Sequence, residues 1–213
     1  GRSGNESRIP DDFSTRARPI LTRKSGFLQS ITRERLMEIA RENDLILTVQ
    51  SNPGEFIPWK GELVAAWPED RVDQRISALV QEAFLIGDER TTEQDIEFSI
   101  ERLEMIAVRA LSPGINDLYT ANIAIRWLGV VLSQLAERST LHHYHYDKDE
   151  RLRIITKPLR FSMFADAAFN EIRHSANSPY ILISLLDTIS TVARCTKTAD
   201  QREVLRQHAA NID

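Results

Sequence analysis

Two polar segments hold most of the residues in this chain that could do chemistry. The first is GDERTTEQD, residues 87–95, and the second is RALSPGIND, residues 109–117. The candidate ligand or interface residues in them are Arg90, Thr91, Gln94, Asp95, Arg109, Ser112, Asn116 and Asp117. A predicted helix of about 19 residues, roughly 28 Å long at 1.5 Å per residue, separates the two segments. They can form one compact site only if other elements bring them together.

The second segment has the residue types of a turn between two helices. Pro113 cannot continue a helix interior, and Gly114 permits a sharp change of direction. Asn116 or Asp117 is expected to cap the helix that follows. Two alternatives stay open. The exposed backbone groups of that helix start could hold an anion, with Arg90 or Arg109 supplying charge.

The other alternative is that Ser112 acts as a nucleophile. A nucleophilic serine needs a base within hydrogen-bond reach and a site for the oxyanion. The neighbouring sequence offers Asn116 and Asp117 but no histidine. A turn role therefore explains these side chains more simply than hydrolysis does.

A third polar segment, HHYHYDKDE at 142–150, contains histidines that could attract a transition metal. On a strand, His143 and His145 share one face, as residues i and i+2 do. The segment lacks the paired, spaced ligands of a structural zinc site, so an exposed hairpin with DKDE at its tip is favoured. The sequence holds no Walker loop, dinucleotide fingerprint, CxxC pair or HExxH helix, and we expect no cofactor.

The helix between the two segments carries charge on two faces. Asp95, Arg102 and Arg109 recur every seventh residue, whereas Glu97, Glu101 and Glu104 form an acidic face. These faces are typical of solvated or ion-paired helix surfaces. A polar seam between subunits or domains is the alternative, ahead of catalytic carboxylates.

Composition excludes several classes of protein. The chain has 213 residues, a net charge of −4 and 42% hydrophobic residues, which is typical of a globular protein without a basic field for nucleic acid. Its single cysteine, Cys195, cannot form an internal disulfide. The most apolar stretch, 118–136, is interrupted by Asn122, Arg126 and Gln134, so it predicts a buried core helix rather than a membrane span.

The pattern predicts an α+β fold in three parts. Residues 1–18 are a flexible lead, 19–68 a small β-rich, barrel-sandwich-like module, and 69–213 a mainly helical domain with one β-hairpin. In the module, Leu45, Leu47 and Val49 alternate as in a strand. Trp59 and Trp67 are expected to close its core.

Helical periodicity dominates the third part. One helix is predicted to run to a C-cap at Gly87, and the next to begin at Thr91 or Thr92 and occupy a central position. Asn116 or Asp117 starts a helix to about Arg138. Three more helices are predicted at about 160–176, 179–196 and 199–210, the second of them opened by Ser178-Pro179.

Several of these segments together resemble a known family. They are SGFLQSI, RLMEIA, NPGEF, the long GDERTTEQDIEFSIERLEMIAVRALSPGINDLYTA, and AAFNEIRHSA. In them the chain is similar to the soluble C-terminal portion of predicted bacterial inner-membrane proteins, catalogued as domain of unknown function twenty-two fifty-four. Leu118 stands where the family often has proline.

The resemblance implies transmembrane helices upstream of residue 1 and a chain that faces the cytoplasm, but it brings no established activity. We therefore expect an extramembrane domain that acts in oligomerisation and in regulation or gating of the membrane part, as a homo-oligomer. A small-molecule or anion-sensing module is the alternative, and a hydrolase is the second alternative.

Overall fold

The structure is a computed structural model, and it describes residues 9–138 and 143–212. The chain divides into two compact units. Unit 1 comprises Gly1–Asp95 and His142–Pro158, and unit 2 comprises Ile96–Leu141 and Leu159–Asp213. The division thus falls at 95/96, whereas the sequence suggested 68/69, because strands that follow residue 69 join the sheets of unit 1. Strands concentrated in the N-terminal half and helices towards the C-terminus confirm the α+β class.

Unit 1 contains two small sheets. Its strands are β1 (Arg18–Leu21), β2 (Gly26–Ile31), β3 (Ile46–Val49), β4 (Phe56–Ile57), β5 (Glu62–Trp67), β6 (Phe84–Gly87), β7 (Tyr144–Tyr146) and β8 (Leu152–Ile155). The five-stranded sheet has the order β1-β5-β3-β8-β7, and the three-stranded sheet has the order β4-β2-β6. The predicted hairpin forms β7 and β8, and β8 joins β3 in parallel, with Leu47 opposite Ile154.

The helices of unit 1 are short. They are α1 (Phe13–Arg16), α2 (Arg33–Glu42) and α3 (Gln74–Glu82). Leu45, Leu47 and Val49 are buried in the core of this unit as predicted, but Ile46 is buried as well, so the alternation is not clean. Asp73 caps the N-terminus of α3, because its carboxylate accepts a hydrogen bond from the backbone N–H of Ile76.

Three predictions for this unit were wrong. The helix before Gly87 ends at Glu82, and the following residues form β6, because they pair with the distant strand β2. The next helix begins at Ile96 rather than at Thr91 or Thr92. Trp59 does not close the core: it lies on a turn and is 62% exposed. The barrel-sandwich likeness stays a prediction.

Unit 2 is built from helices. They are α4 (Ile96–Leu111), α5 (Leu118–Glu137), α6 (Phe161–Ser175), α7 (Pro179–Cys195) and α8 (Ala199–Ala210). The three helices predicted after Pro158 are confirmed, with Pro179 in the first turn of α7. The predicted central helix, α4, packs on α5 and α6, whereas α5 contacts α4, α6 and α7. Among residues 9–138 and 143–212, no helix has the length and apolar content needed to cross a membrane.

Candidate functional site

The segment GDERTTEQD contains an ion pair that packs against the NPGEF turn of unit 1. Arg90 Nε lies 2.8 Å from Asp95 Oδ2, and the Asp95 carboxylate is buried. That carboxylate packs against Gly54, whose φ of +98° is a conformation that side chains rarely adopt. A Cβ at Gly54 would collide with it. Gly54 belongs to the NPGEF turn, so the segments NPGEF and GDERTTEQD contact each other directly.

A glutamine amide fastens the same segment to β2. The backbone N–H of Ile31 donates to Gln94 Oε1 at 3.0 Å, and Gln94 Nε2 lies 3.4 Å from the carbonyl oxygen of Ile31. Gln29 Nε2 also donates to the carbonyl of Glu89 at 2.9 Å. The Thr91 hydroxyl is buried and has no hydrogen-bond partner in the described part of the chain. The polar side chains at 90, 94 and 95 thus serve the loop geometry of unit 1.

The segment RALSPGIND forms the turn that its sequence predicts. Ser112 Oγ donates to the carbonyl of Arg109 at 2.7 Å, and the Asn116 N–H donates to the carbonyl of Ser112 at 2.9 Å. Asn116 has a φ of +50°, and the Asp117 N–H donates to the carbonyl of Ala110 at 2.8 Å. Within residues 9–138 and 143–212, no histidine hydrogen-bonds to Ser112.

Asp117 caps α5, as one of the two predicted candidates. Its carboxylate accepts from the Thr120 N–H at 3.0 Å and from the Thr120 hydroxyl at 2.6 Å. These two hydrogen bonds hold the pKa of Asp117 below its ordinary value, because they stabilise the charged form. The two candidate segments belong to different units.

The candidate metal ligands lie on the hairpin of unit 1. The His143 ring packs on Tyr144 with centroids 4.1 Å apart, and His145 Nε2 lies 3.5 Å from Thr156 Oγ1. His142 lies outside the described residues. Across the described ranges, no three histidine, cysteine or acidic side chains group as metal ligands would.

The hairpin also contains a buried arginine network that the sequence did not predict. Arg153, 5% exposed, donates from Nε to Asp147 and from a terminal nitrogen to Asp44, both at 2.8 Å. Arg71 reaches Asp44 from the other side at 2.6 Å. The hydrogen bonds from Arg153 are the main cause that lowers the pKa of both Asp44 and Asp147. Asp44 and Arg153 are distant in sequence, so no local pattern signals their pairing.

The predicted acidic face of α4 lines a groove towards α6 in unit 2. Glu97, Glu101 and Glu104 share this groove with Asp166 and Glu171. Burial raises the pKa of Glu104, and the nearby charges of Glu171 and Glu101 raise it further.

The outward side of α5 carries an uncovered row of large apolar side chains. Tyr119 is 73% exposed and Trp127 57% exposed, and Ile123 and Val130 are exposed between and beyond them. We call these four residues the α5 face. At 100° per residue they span an arc of about 80°. The sequence pattern predicts a buried core helix, yet α5 also carries this exposed apolar row.

Clefts flank α5 on both sides. Towards α7 lies a groove of about 510 Å³, at whose end the buried Asn122 bonds to Tyr180 and Ser184. Towards α4 lies a smaller, mainly apolar cleft of about 230 Å³, which we call the α4 cleft. It is lined by Met105, Ile106, Arg109, Ala110, Ile115, Asp117 and Thr120. Arg109 and Asp117, two candidates from the sequence, thus meet at an apolar depression.

Comparison with known proteins relates the chain to a family of predicted membrane proteins. Residues 2–191 match the family described as "Predicted membrane protein (DUF2254)". The chain is 30% identical to "Uncharacterized protein Rv1290c" of Mycobacterium tuberculosis and to "Uncharacterized protein Mb1321c" of Mycobacterium bovis, each time over 91% of this chain and 38% of the relative. It therefore spans less than half the length of these relatives. No solved structure matches it. The chain belongs to this family of predicted membrane proteins.

Proposed function

We propose that this chain is the extramembrane portion of a bacterial inner-membrane protein, on the cytoplasmic side, and that it joins copies of that protein into a homo-oligomer. Through that association it would regulate or gate the membrane part. Two facts support the extramembrane assignment: the family consists of predicted membrane proteins, and the relatives are much longer than this chain. The exposed charges of α4 and α8 suit water.

The observation that carries the proposal is the α5 face. An exposed apolar row on a helix is normally covered by a partner, because apolar surface left in water costs about 25 cal/mol per Å². Contiguous exposed apolar patches on otherwise soluble-looking folds mark interaction sites. Tyr119, Ile123, Trp127 and Val130 form such a patch on the most packed helix of unit 2. Tyrosine and tryptophan are also residues enriched at the centres of protein interfaces.

The alternative functions receive less support from the geometry. For anion sensing, the turn 112–117 would need spare donors, but the N–H groups of Asn116 and Asp117 already bond to backbone carbonyls. For hydrolysis, Ser112 would need a base, and its hydroxyl instead donates to the Arg109 carbonyl. The backbone turn explains both residues.

Sedimentation velocity of the chain over a range of concentrations tests the proposal. We expect a concentration-dependent oligomer, and we expect Tyr119→Asp to shift it to monomer because an aspartate cannot be buried unpaired. Trp59→Asp is the matched control, since Trp59 is a similarly exposed aromatic residue in unit 1. If both variants behave as the parent chain does, or if the parent chain is monomeric throughout, the proposal is wrong.

A further inference from the structure

We propose that two copies of this chain pair antiparallel across the α5 face, with Ile123 on a two-fold axis and Trp127 of each copy inserted into the α4 cleft of the other. The inference rests on the proposed function, because it specifies how the same face associates.

The exposed apolar residues on and just before α5 are spaced almost evenly on both sides of Ile123. Tyr119 and Trp127 lie four residues before and after Ile123, while Ile115 lies eight before and Val130 seven after. All five are exposed. In an antiparallel pair centred on Ile123, Ile123 meets its own copy and Tyr119 comes opposite Trp127, as an isologous interface requires.

Trp127 lies on the side of α5 that borders the α4 cleft. Viewed down the helix, Trp127 lies within about 20° of Thr120, which lines the α4 cleft. A two-fold axis that runs between the two α5 helices, at right angles to both, keeps the α4 side of one copy next to the α4 side of the other. Thr120 lies about 4.5 Å before Ile123 along the helix, and Trp127 lies about 6 Å after it. The indole therefore arrives at the cleft of the other copy.

The lining of the cleft suits an indole. Met105, Ile106 and Ile115 supply apolar walls and are exposed, so they too gain from being covered. The Asp117 carboxylate can accept a hydrogen bond from the indole N–H. The Arg109 guanidinium, at the same cleft, can lie against the aromatic ring.

Charges do not oppose this register. Arg126 lies three residues after Ile123 and points to the α7 side of α5, where it lines the larger groove. In the antiparallel pair, the two Arg126 positions are about 9 Å apart along the helix axis. A parallel pair would instead place these like charges side by side. Charge thus favours the antiparallel arrangement.

Disulfide trapping tests the register, in a Cys195→Ala background that removes the native thiol. Ile123→Cys should cross-link to itself on mild oxidation, because a residue on the axis meets its own copy. Tyr119→Cys alone should not, since two such positions are about 12 Å apart along the axis and a disulfide needs Cα atoms within about 7 Å. A mixture of Tyr119→Cys and Trp127→Cys chains should cross-link. Self-linking at Tyr119→Cys would indicate parallel pairing and overturn the inference.

Dimer affinity tests the insertion of the indole. We expect Trp127→Glu to weaken the dimer at least about 30-fold, with Trp127→Phe losing much less and Trp59→Glu nothing. A dimer that persists unchanged in Trp127→Glu, or that lacks the Ile123→Cys cross-link, overturns this pairing but leaves the proposed function standing. A chain that stays monomeric overturns both. A blue shift of tryptophan fluorescence on phosphatidylglycerol vesicles, seen in monomers of the parent chain but not of Trp127→Phe, would assign the α5 face to a membrane surface and overturn the inference as well.

Discussion

The two units of this chain leave different kinds of surface uncovered. In unit 1 the polar segment GDERTTEQD is packed, because Asp95 forms an ion pair with Arg90 and contacts Gly54. Its large exposed apolar residues include Leu21, Phe56, Trp59 and Leu85, which lie on separate strands and turns. In unit 2 they lie mostly along helices: the α5 face forms one row, Met105 and Ile106 are exposed on α4, and further apolar residues are exposed on α7. The difference teaches that the segments rich in polar side chains hold the fold, whereas the interface we propose lies on an apolar helix face.

The largest effect is expected at Gly54. Gly54→Ala should destabilise unit 1 by roughly 3 kcal/mol, because the residue has φ +98° and its new Cβ would collide with the buried Asp95 carboxylate. Urea unfolding followed by circular dichroism measures the change. Gly114→Ala is the control: its Cβ would meet no atom within 4 Å, and we expect little change. Equal effects at both positions would show that the packing of Gly54 against Asp95 contributes nothing to the stability of unit 1.

Arg153 comes next in expected size. Arg153→Met should lower the free energy of unfolding by about 2 kcal/mol, because it leaves the Asp147 and Asp44 carboxylates without their buried partner. The loss is smaller than for a fully buried network, because Asp44 is exposed and solvent weakens its ion pair. Both carboxyls have a lowered pKa, so this stability is present above pH about 4 and is lost as the pH falls through their folded pKa values. Acid titration of the parent chain and the variant measures it. An equally steep loss below pH 4 in both would contradict the network's role.

Gly129 offers the corresponding test in unit 2. A Cβ there would lie 2.7 Å from Thr188 Cγ2, where α5 and α7 approach closely. Gly129→Ala should destabilise unit 2 by about 1 kcal/mol, less than Gly54→Ala, because the backbone is unstrained and a methyl group can shift. The paired variant Gly129→Ala with Thr188→Ser should recover part of the loss in urea unfolding. No recovery would place the cause elsewhere.

His208 gives the smallest effect. Burial lowers its pKa, against the opposing attraction of Asp166, whose Oδ1 lies 3.1 Å from Nε2. The folded state therefore favours the neutral ring, and the stability it contributes is full above pH about 6.5 and falls as the pH drops below that value. We expect a loss under about 1 kcal/mol between pH 7 and pH 5.5, which His208→Phe removes. Thermal melting at the two pH values measures it, and an unchanged slope in the variant would exclude His208 as the cause.

Local signals in the sequence predicted much of the fold. The Pro-Gly break, the Asp117 cap and the start of α7 at Pro179 all depend on residues close in the chain, and all are confirmed. β6 was mistaken for helix because its strand partner, β2, lies more than 50 residues away. Arg153 and Asp44 escaped for the same reason. The exposed α5 face could not be read from periodicity, because an apolar residue has the same pattern whether its neighbour is the core or water.

Native mass spectrometry of the purified chain tests the central claim most directly. If the α5 face joins copies of the protein, the spectrum will show a discrete dimer of the 24.3 kDa chain that Tyr119→Asp reduces to monomer, while Trp59→Asp leaves it intact. A monomer at every concentration, or a dimer that only the Trp59 variant disrupts, would contradict the account.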